Sequence, residues 1–279
     1  MSTLQGKTVF ITGGSRGIGR AIALRCARDG ANVVIAAKTV DPNPKLPGTI
    51  HSVAEEVRAA GGRAMPIAVD VREEEQVRQA LHAAATEFGG LDVVVNNAGA
   101  ISLTTASMTP MKKVDLMFGI NVRAAYMCAS LAIPYLEKSS NGHILNMSPP
   151  IDLNPRWLRN HTAYTISKYG MTLATLGLSA ELASKGIAVN SLWPRTVIDT
   201  AALRLVGGAQ LASNGRTPEI MADAAYAIVT SPSRELTGQC LIDETFLRSR
   251  GVTDFDPYLV VPGTTVLYDD LYVTWPTGG

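Results

Sequence analysis

Apolar and polar positions alternate along the first half of the chain in blocks that predict strands and helices in turn. The β-branched apolar runs, which predict strands, lie at 8–12, 32–37, 64–69 and 92–96. Segments with apolar residues every three to four positions, which predict helices, lie at 18–29, 50–60 and 73–88. This alternation is typical of βαβ units and of a parallel sheet.

The same alternation continues through the second half of the chain. Helices are predicted at 110–138, 163–184 and 218–230, and strands at 143–147, 187–193 and 239–242. Seven strands with intervening helices predict an α/β fold. We expect a doubly wound (Rossmann) parallel seven-stranded sheet with helices on both faces, in a single domain over residues 1–245.

Residues 246–279 have a different character. They hold six of the sixteen aromatic residues of the chain, namely Phe246, Phe255, Tyr258, Tyr268, Tyr272 and Trp275. Disordered segments are poor in aromatic residues. We therefore expect an aromatic-rich C-terminal tail that packs on the domain or on a neighbouring subunit.

Composition removes several classes of function. The chain is 46% hydrophobic and 18% charged, with a net charge of +1, which excludes a disordered protein and argues against nucleic-acid binding. Three cysteines without metal or redox spacing, and an N-terminus without an apolar signal core, predict a cytoplasmic protein. No metal site is predicted, because the histidines show no ligand spacing; all four are interpreted as surface or satisfied residues.

The stretch 116–136 has Arg123 as its only charge and is nearly long enough to cross a bilayer. Gly119, Asn121, Arg123 and Pro134 interrupt it. We interpret it as a buried helix of a soluble domain and predict no membrane span.

A glycine-rich loop joins the first strand to the first helix and reads Thr12-Gly13-Gly14-Ser15-Arg16-Gly17-Ile18-Gly19. Glycines at such a turn permit close approach of a pyrophosphate, and the helix N-terminus supplies free N–H groups. The same residues match the nucleophile elbow of hydrolases through Ser15. No histidine lies where that motif needs one, so a dinucleotide loop is favoured.

The end of the second predicted strand indicates which dinucleotide binds. Enzymes that use NAD place an acid there, on the ribose hydroxyls. Here Lys38 stands at that point and an acid is missing. Lys38 and Arg16 together could hold a 2′-phosphate, which predicts NADP as the cofactor.

Tyr164 and Lys168 are four residues apart on a predicted helix and therefore share one face of it. An ammonium group beside a tyrosine stabilises the phenolate and lowers the pKa of the phenol toward neutrality. The pair is a candidate acid–base centre.

With the glycine loop, this pair resembles the short-chain dehydrogenase/reductase family over about residues 5–245. The resemblance implies that Asp70 and Val71 contact the adenine, and that Asn97, Ala98 and Gly99 line the ribose. It also implies three catalytic roles, with Asn121 holding a relay water, Tyr164 acting as general acid–base and Lys168 holding the nicotinamide ribose. Pro194 and Val197 would contact the carboxamide.

One departure from the family pattern concerns the catalytic serine. The family's usual serine position is Pro149, and Ser148 lies 16 residues before Tyr164, where the family has 12 or 13. The loop could be shifted in register, so that Ser148, Asn160 or Thr162 supplies the donor to the substrate.

Taken together, these features predict an NADP-dependent oxidoreductase for an alcohol/carbonyl substrate. An apolar segment at 195–216 resembles a lid and suits a lipid-like compound. Two alternatives stay open, a catalytically weak NADP-binding sensor or scaffold, and an enzyme with lyase or epimerase chemistry. The helices at 116–136 and 169–180, apolar nearly all round, predict a homodimer or homotetramer.

Overall fold

The computed structural model describes residues 3–44 and 46–273. Its centre is a seven-stranded sheet in the order β3-β2-β1-β4-β5-β6-β7, with every neighbouring pair parallel. The strands are β1 (Thr8–Thr12), β2 (Asn32–Ala37), β3 (Arg63–Ala68), β4 (Val93–Asn96), β5 (His143–Asn146), β6 (Ala188–Trp193) and β7 (Cys240–Ile242). The predicted fold class is confirmed, with strand ends within one residue of the expected ones.

Helices cover both faces of the sheet, so the central strands are buried on each side and are almost wholly apolar. On one face lie α1 (Gly17–Ala27), α2 (Ile50–Ala59), α9 (Glu219–Val229) and α10 (Asp243–Ser249). On the other lie α3 (Glu74–Phe88), α5 (Ala125–Leu136) and α7 (Thr162–Leu182). The remaining helices are α4 (Met111–Met117), α6 (Pro155–Leu158) and α8 (Ala201–Ser213).

The helix predicted at 110–138 contains a feature that the sequence pattern did not predict. A π-helical segment, Phe118–Ala124, joins α4 to α5. By length and composition, Met111–Leu136 is the single helix among the described residues that could cross a membrane, and 44% of its most apolar window is buried inside the molecule. It covers the sheet and contacts α3 and α7.

The segment predicted as a lid forms α8. Its helical geometry breaks at Gly208, at φ +77°, which divides it into two short pieces. Leu205 and Val206 are exposed on it. The Thr200 hydroxyl caps its first turn.

The C-terminal segment returns to the domain. Phe246, Leu247 and Phe255 are buried in the core beside α9. Residues 269–273, which we call the C-terminal strap, lie across the segment that follows β6, and a bridge pairs Thr196 with Asp269. Trp275 lies outside the described residues.

A buried ionic cluster fastens this end of the chain. The Glu244 carboxylate is fully buried and is bonded by Arg195, Arg216 and Arg248. Asp243 Oδ1 accepts the N–H groups of Arg195 and Glu244. The cluster thereby joins the segment after β6 to α10.

Candidate active site

The glycine loop follows β1, at the carboxyl end of the sheet. In the sheet β1 lies beside β4, and the strand order reverses between these two strands, where parallel sheets commonly bind ligands. A Cβ atom at Gly19 would lie 2.5 Å from Asn97 Nδ2 and 2.6 Å from Gly13 O. Gly13 adopts φ +66°, and a Cβ there would lie 2.9 Å from the Cα of Ala98. Both positions therefore require glycine.

Two side chains brace this loop. The Thr12 hydroxyl accepts the N–H groups of Asn97 and Ala98, at 3.0 and 3.1 Å. Asn97 Nδ2 donates to Thr12 O and Gly13 O. Helix α1 has no side-chain cap and no acid in its first turn. Its N-terminus thus keeps the positive end of the dipole for an anion.

The other residues that the sequence predicted to contact the cofactor near this loop are buried or half-buried. Ser15 and Val71 are buried, and Ile18 and Ala98 are half-buried against the two cores. Gly17 adopts φ +54° at the start of α1.

The two cations proposed for a 2′-phosphate lie at the carboxyl end of β2. The Arg16 guanidinium donates to Thr39 Oγ1 at 3.0 Å and to Gly48 O at 2.9 Å. Lys38 Nζ donates to Asp70 Oδ2 at 3.0 Å. Hydrogen bonds from Arg72, followed by those of Lys38, hold the pKa of Asp70 well below its usual range. Asp70 therefore stays ionised, and its negative charge is compensated by Lys38 and Arg72.

Tyr164 and Lys168 lie one turn apart on α7, and both are buried. Lys168 Nζ donates to Met147 O at 2.8 Å and lies 5.3 Å from the centre of the Trp193 ring. A Cβ atom at Gly99 would lie 3.8 Å from Lys168 Nζ. The ends of β4 and β5 and the face of α7 therefore meet at this lysine.

Asn121 lies in the π-helical segment and is fully buried. Its Oδ1 accepts Ala100 N–H at 2.8 Å, and its Nδ2 donates to Ala100 O and to Ser167 Oγ, each at 2.9 Å. The side chain therefore fastens this segment to α7. A π turn changes which main-chain groups are paired, and such turns are frequent at functional sites.

Of the three candidates for the missing serine, Ser148 is the buried one. Its Oγ has no hydrogen-bond partner among the described residues. Asn160 and Thr162 are exposed, and the Thr162 hydroxyl donates to Leu158 O. Pro149 O accepts the hydroxyl of Thr172 at 2.7 Å, which fixes the proline.

The segment after β6 carries the residues expected at the carboxamide. Pro194 directly follows the last residue of β6, and Val197 is buried. The Val197 N–H donates to Tyr268 O at 3.0 Å, just before the strap. Asp270 N–H donates to Arg195 O, and Trp193 Nε1 donates to Leu271 O.

The strap brings Tyr272 to Tyr164, the candidate acid–base tyrosine, a contact that the sequence did not predict. The Tyr272 ring lies 6.5 Å from that of Tyr164, centre to centre. Its other ring neighbours are Trp157, His161, Tyr169 and Trp193, at 5.3 to 6.0 Å.

The interpretation of all four histidines as surface or satisfied was wrong for His161, which is 8% exposed with Nε2 unpaired among the described residues. Tyr272, lying 111 positions further along the chain, closes over it, so no local pattern could reveal its burial. His51 and His82 are exposed. His143 is buried with Nε2 3.0 Å from Ser231 O, and its Nδ1 is also unpaired among the described residues.

Burial dominates the electrostatics of the site. It raises the pKa of Tyr164 well above its usual value, and nearby Tyr272 and Asp270 add to this effect. Burial also lowers the pKa of Lys168 to about 8. The expected lowering of the pKa of Tyr164 is therefore wrong for this closed arrangement, because burial disfavours the charged phenolate.

Comparison with known proteins agrees with this geometry. Residues 7–207 match the family model for short chain dehydrogenases. Hydroxysteroid dehydrogenase-like protein 2 of Danio rerio is 58% identical over 266 residues, which cover 95% of this chain and 64% of that protein. The chain thus spans less than two thirds of that relative.

Two solved structures are similar over almost their whole length. A Xanthomonas campestris protein described as a dehydrogenase is 52% identical, with a TM-score of 0.95 over 98% of this chain and all of the other. A short chain dehydrogenase of Mycobacterium thermoresistibile is 48% identical, with a TM-score of 0.93 over 99% of each chain. With the bracing of the glycine loop and the buried Tyr164–Lys168 pair, these matches show that the chain belongs to the short-chain dehydrogenase/reductase family of oxidoreductases.

Proposed function

We propose that this chain is an NADP-dependent oxidoreductase that interconverts an alcohol and a carbonyl compound. The observation that carries the proposal is the convergence of Tyr164, Lys168, Gly99 and Asn121 at one end of the sheet, beside the glycine loop. The oxidoreductase class follows from the family, whereas the cofactor and the substrate class are our inference.

The residues present fit a dinucleotide cofactor. The uncapped N-terminus of α1 suits its pyrophosphate. At the end of β2, Arg16 and Lys38 would hold a 2′-phosphate, and the Asp70 carboxylate beside Lys38 is already bonded by Arg72. When bound, the nicotinamide supplies or accepts the hydride.

The protein's own part in the reaction is to hold and move a proton. Tyr164, kept as the neutral phenol, would donate its proton from Oη to the substrate oxygen. Lys168 would then return a proton to the Tyr164 phenolate, since its ammonium group is fixed by Met147 O within the same buried site. The Asn121 side chain is already bonded, so a relay water would rest on the main chain of the π segment.

The substrate oxygen also needs a second donor. Ser148 Oγ is buried and unpaired among the described residues, and such a group is costly unless a ligand or water completes it. We assign it the role of polarising the carbonyl oxygen. In this proposal the serine lies one position before the family's usual one, which Pro149 occupies, and it has the same function there.

A screen of NADPH oxidation tests the function. The purified protein is offered aldehydes, ketones and keto thioesters, while binding of NADPH is followed separately by fluorescence. Turnover that disappears in Tyr164→Phe, with NADPH affinity retained, is the expected result. Turnover that persists in Tyr164→Phe contradicts the mechanism.

A second function is favoured by one specific observation. Tyr268, just before the strap, takes the Val197 N–H group, and Tyr164 beside Tyr272 is 5% exposed. A protein that stays in this form would bind NADP and turn over little, as a sensor does. NADPH binding without turnover of any carbonyl compound would select that alternative.

We further propose that the chain is a cytoplasmic homo-oligomer. Its three cysteines are free thiols, as in a reducing compartment. Helices α5 and α7 keep large apolar side chains in solvent, with Tyr126 53%, Ile166 50% and Leu173 59% exposed. A second subunit would cover them. Ala129, also on α5, is fully buried within the subunit, so charging it would test the fold rather than the assembly.

A further inference from the structure

Tyr272 is held in a costly conformation. Its φ is +68°, the left-handed region that bulky residues rarely adopt. Such strain persists only where the surroundings determine the conformation, and it concentrates at functional sites. Here the five rings around the phenol supply that determination.

The space that the phenol fills has polar groups as well as aromatic walls. The Tyr272 hydroxyl is 3.0 Å from Thr165 Oγ1. His161, whose ring centre lies 6.0 Å from that of Tyr272, keeps Nε2 buried and unpaired within the described part of the chain. The contact of the Tyr272 hydroxyl with Thr165 shows that this aromatic slot accepts a hydroxyl group at its far end.

The slot also adjoins the proton donor. With Tyr272 in place, Tyr164 is 5% exposed, and its ring centre lies 6.5 Å from that of Tyr272. The strap is tied through its main chain, since Asp270 N–H donates to Arg195 O and Leu271 O accepts Trp193 Nε1. The Tyr272 side chain can therefore leave without breaking those ties.

We propose, on the basis of the function proposed above, that Tyr272 occupies the substrate's own place and selects what replaces it. The replacing group is a planar apolar ring with a hydroxyl at its far end. The substrate class is therefore a hydroxyaryl ketone or aldehyde. Its ring lies among Trp157, Tyr169 and Trp193, and its hydroxyl meets Thr165, where the Tyr272 hydroxyl now lies.

The kinetic test compares two ketones of matched reactivity, 4-hydroxyphenylacetone and cyclohexylacetone, neither of which is conjugated. Removal of the competing ring in Tyr272→Ala should raise kcat/KM at least tenfold for 4-hydroxyphenylacetone and less than threefold for cyclohexylacetone. Val266→Ala, at a 61% exposed position of the same segment, serves as the control and should leave both values unchanged. An equal rise for both ketones would overturn the proposal.

A binding test needs no turnover. p-Cresol carries the same ring and hydroxyl but no carbonyl. By calorimetry without cofactor, it should bind Tyr272→Ala at least tenfold more tightly than wild type, and the additional change Thr165→Val should remove most of that gain, because it removes the hydroxyl that now pairs with Tyr272. It should also compete with 4-hydroxyphenylacetone. Binding that does not compete, or that is unchanged by Thr165→Val, contradicts the proposal.

The two tests separate the proposals. If p-cresol behaves as stated and no carbonyl compound is reduced, the pocket assignment stands and the oxidoreductase function fails. If both ketones are reduced and p-cresol binds wild type and Tyr272→Ala equally, the function stands and the role of Tyr272 fails.

Discussion

Replacing Glu244 by glutamine should destabilise the fold by about 3 kcal/mol at neutral pH. Burial alone would raise the pKa of this carboxyl, but hydrogen bonds from Arg195, Arg216 and Arg248 outweigh it and lower the pKa from 4.5 to about 2. At about 1.36 kcal/mol per pKa unit, that difference corresponds to about 3 kcal/mol.

The charge balance of the cluster gives the same magnitude. Glutamine removes the charge that compensates Arg216, which is 4% exposed. Leaving one partner of a buried pair uncompensated costs about 3–5 kcal/mol. For a chain of this size the melting temperature should fall by roughly 6–12 °C.

Urea unfolding followed by circular dichroism measures the effect, provided that the m-value is unchanged. Glu75→Gln is the matched control, since its exposed pair with Arg78 should contribute less than about 0.5 kcal/mol. Because the folded pKa lies below the unfolded one, the stabilisation is complete above about pH 5 and disappears as the pH falls from 4.5 through 2. A loss below 1 kcal/mol at pH 7, or one that does not shrink toward pH 3, would refute the reasoning.

Three further outcomes are expected. The double change Arg16→Ala and Lys38→Ala should weaken NADPH binding at least tenfold while leaving NADH binding nearly unchanged. The reason is that each lost contact to a charged group costs about 1.5–3 kcal/mol. Equal losses of affinity for the two cofactors in fluorescence titrations would exclude a 2′-phosphate contact. The rate of ketone reduction should fall as the pH rises through about 8, where Lys168 loses its charge. In Lys168→Arg, any residual activity should stay constant across that pH range. A pH profile that is identical in both proteins contradicts this expectation. Leu173→Glu should shift the mass seen by light scattering toward 29.6 kDa, whereas Leu205→Glu on α8 should not; wild type at 29.6 kDa would already end the assembly proposal.

Local patterns were sufficient for most of the fold. The strands and helices of a doubly wound sheet each carry their own apolar period, and Tyr164 and Lys168 share a face by spacing alone. The π turn at Phe118–Ala124 was not predictable in this way, because an apolar helix presents the same residues in an α and in a π turn.

The parts of the site that the sequence did not reveal depend on contacts between distant residues. Tyr272 reaches Thr165 across 107 positions, and Glu244 reaches Arg216 across 28. Neither contact leaves a periodic signal, so the burial of His161 and the pairing of Glu244 could be found only from the folded chain. The raised pKa of Tyr164 has the same origin, since the strap contributes to its burial.

The most direct measurement uses NADPH that carries deuterium at both positions of the nicotinamide C4, and follows the label into the alcohol product of whichever carbonyl compound is reduced. We expect one deuterium on the carbinol carbon with the wild-type protein and almost no product with Tyr164→Phe, although the variant binds NADPH as well as wild type. An unlabelled alcohol, or labelled product formed equally fast by Tyr164→Phe, would contradict it.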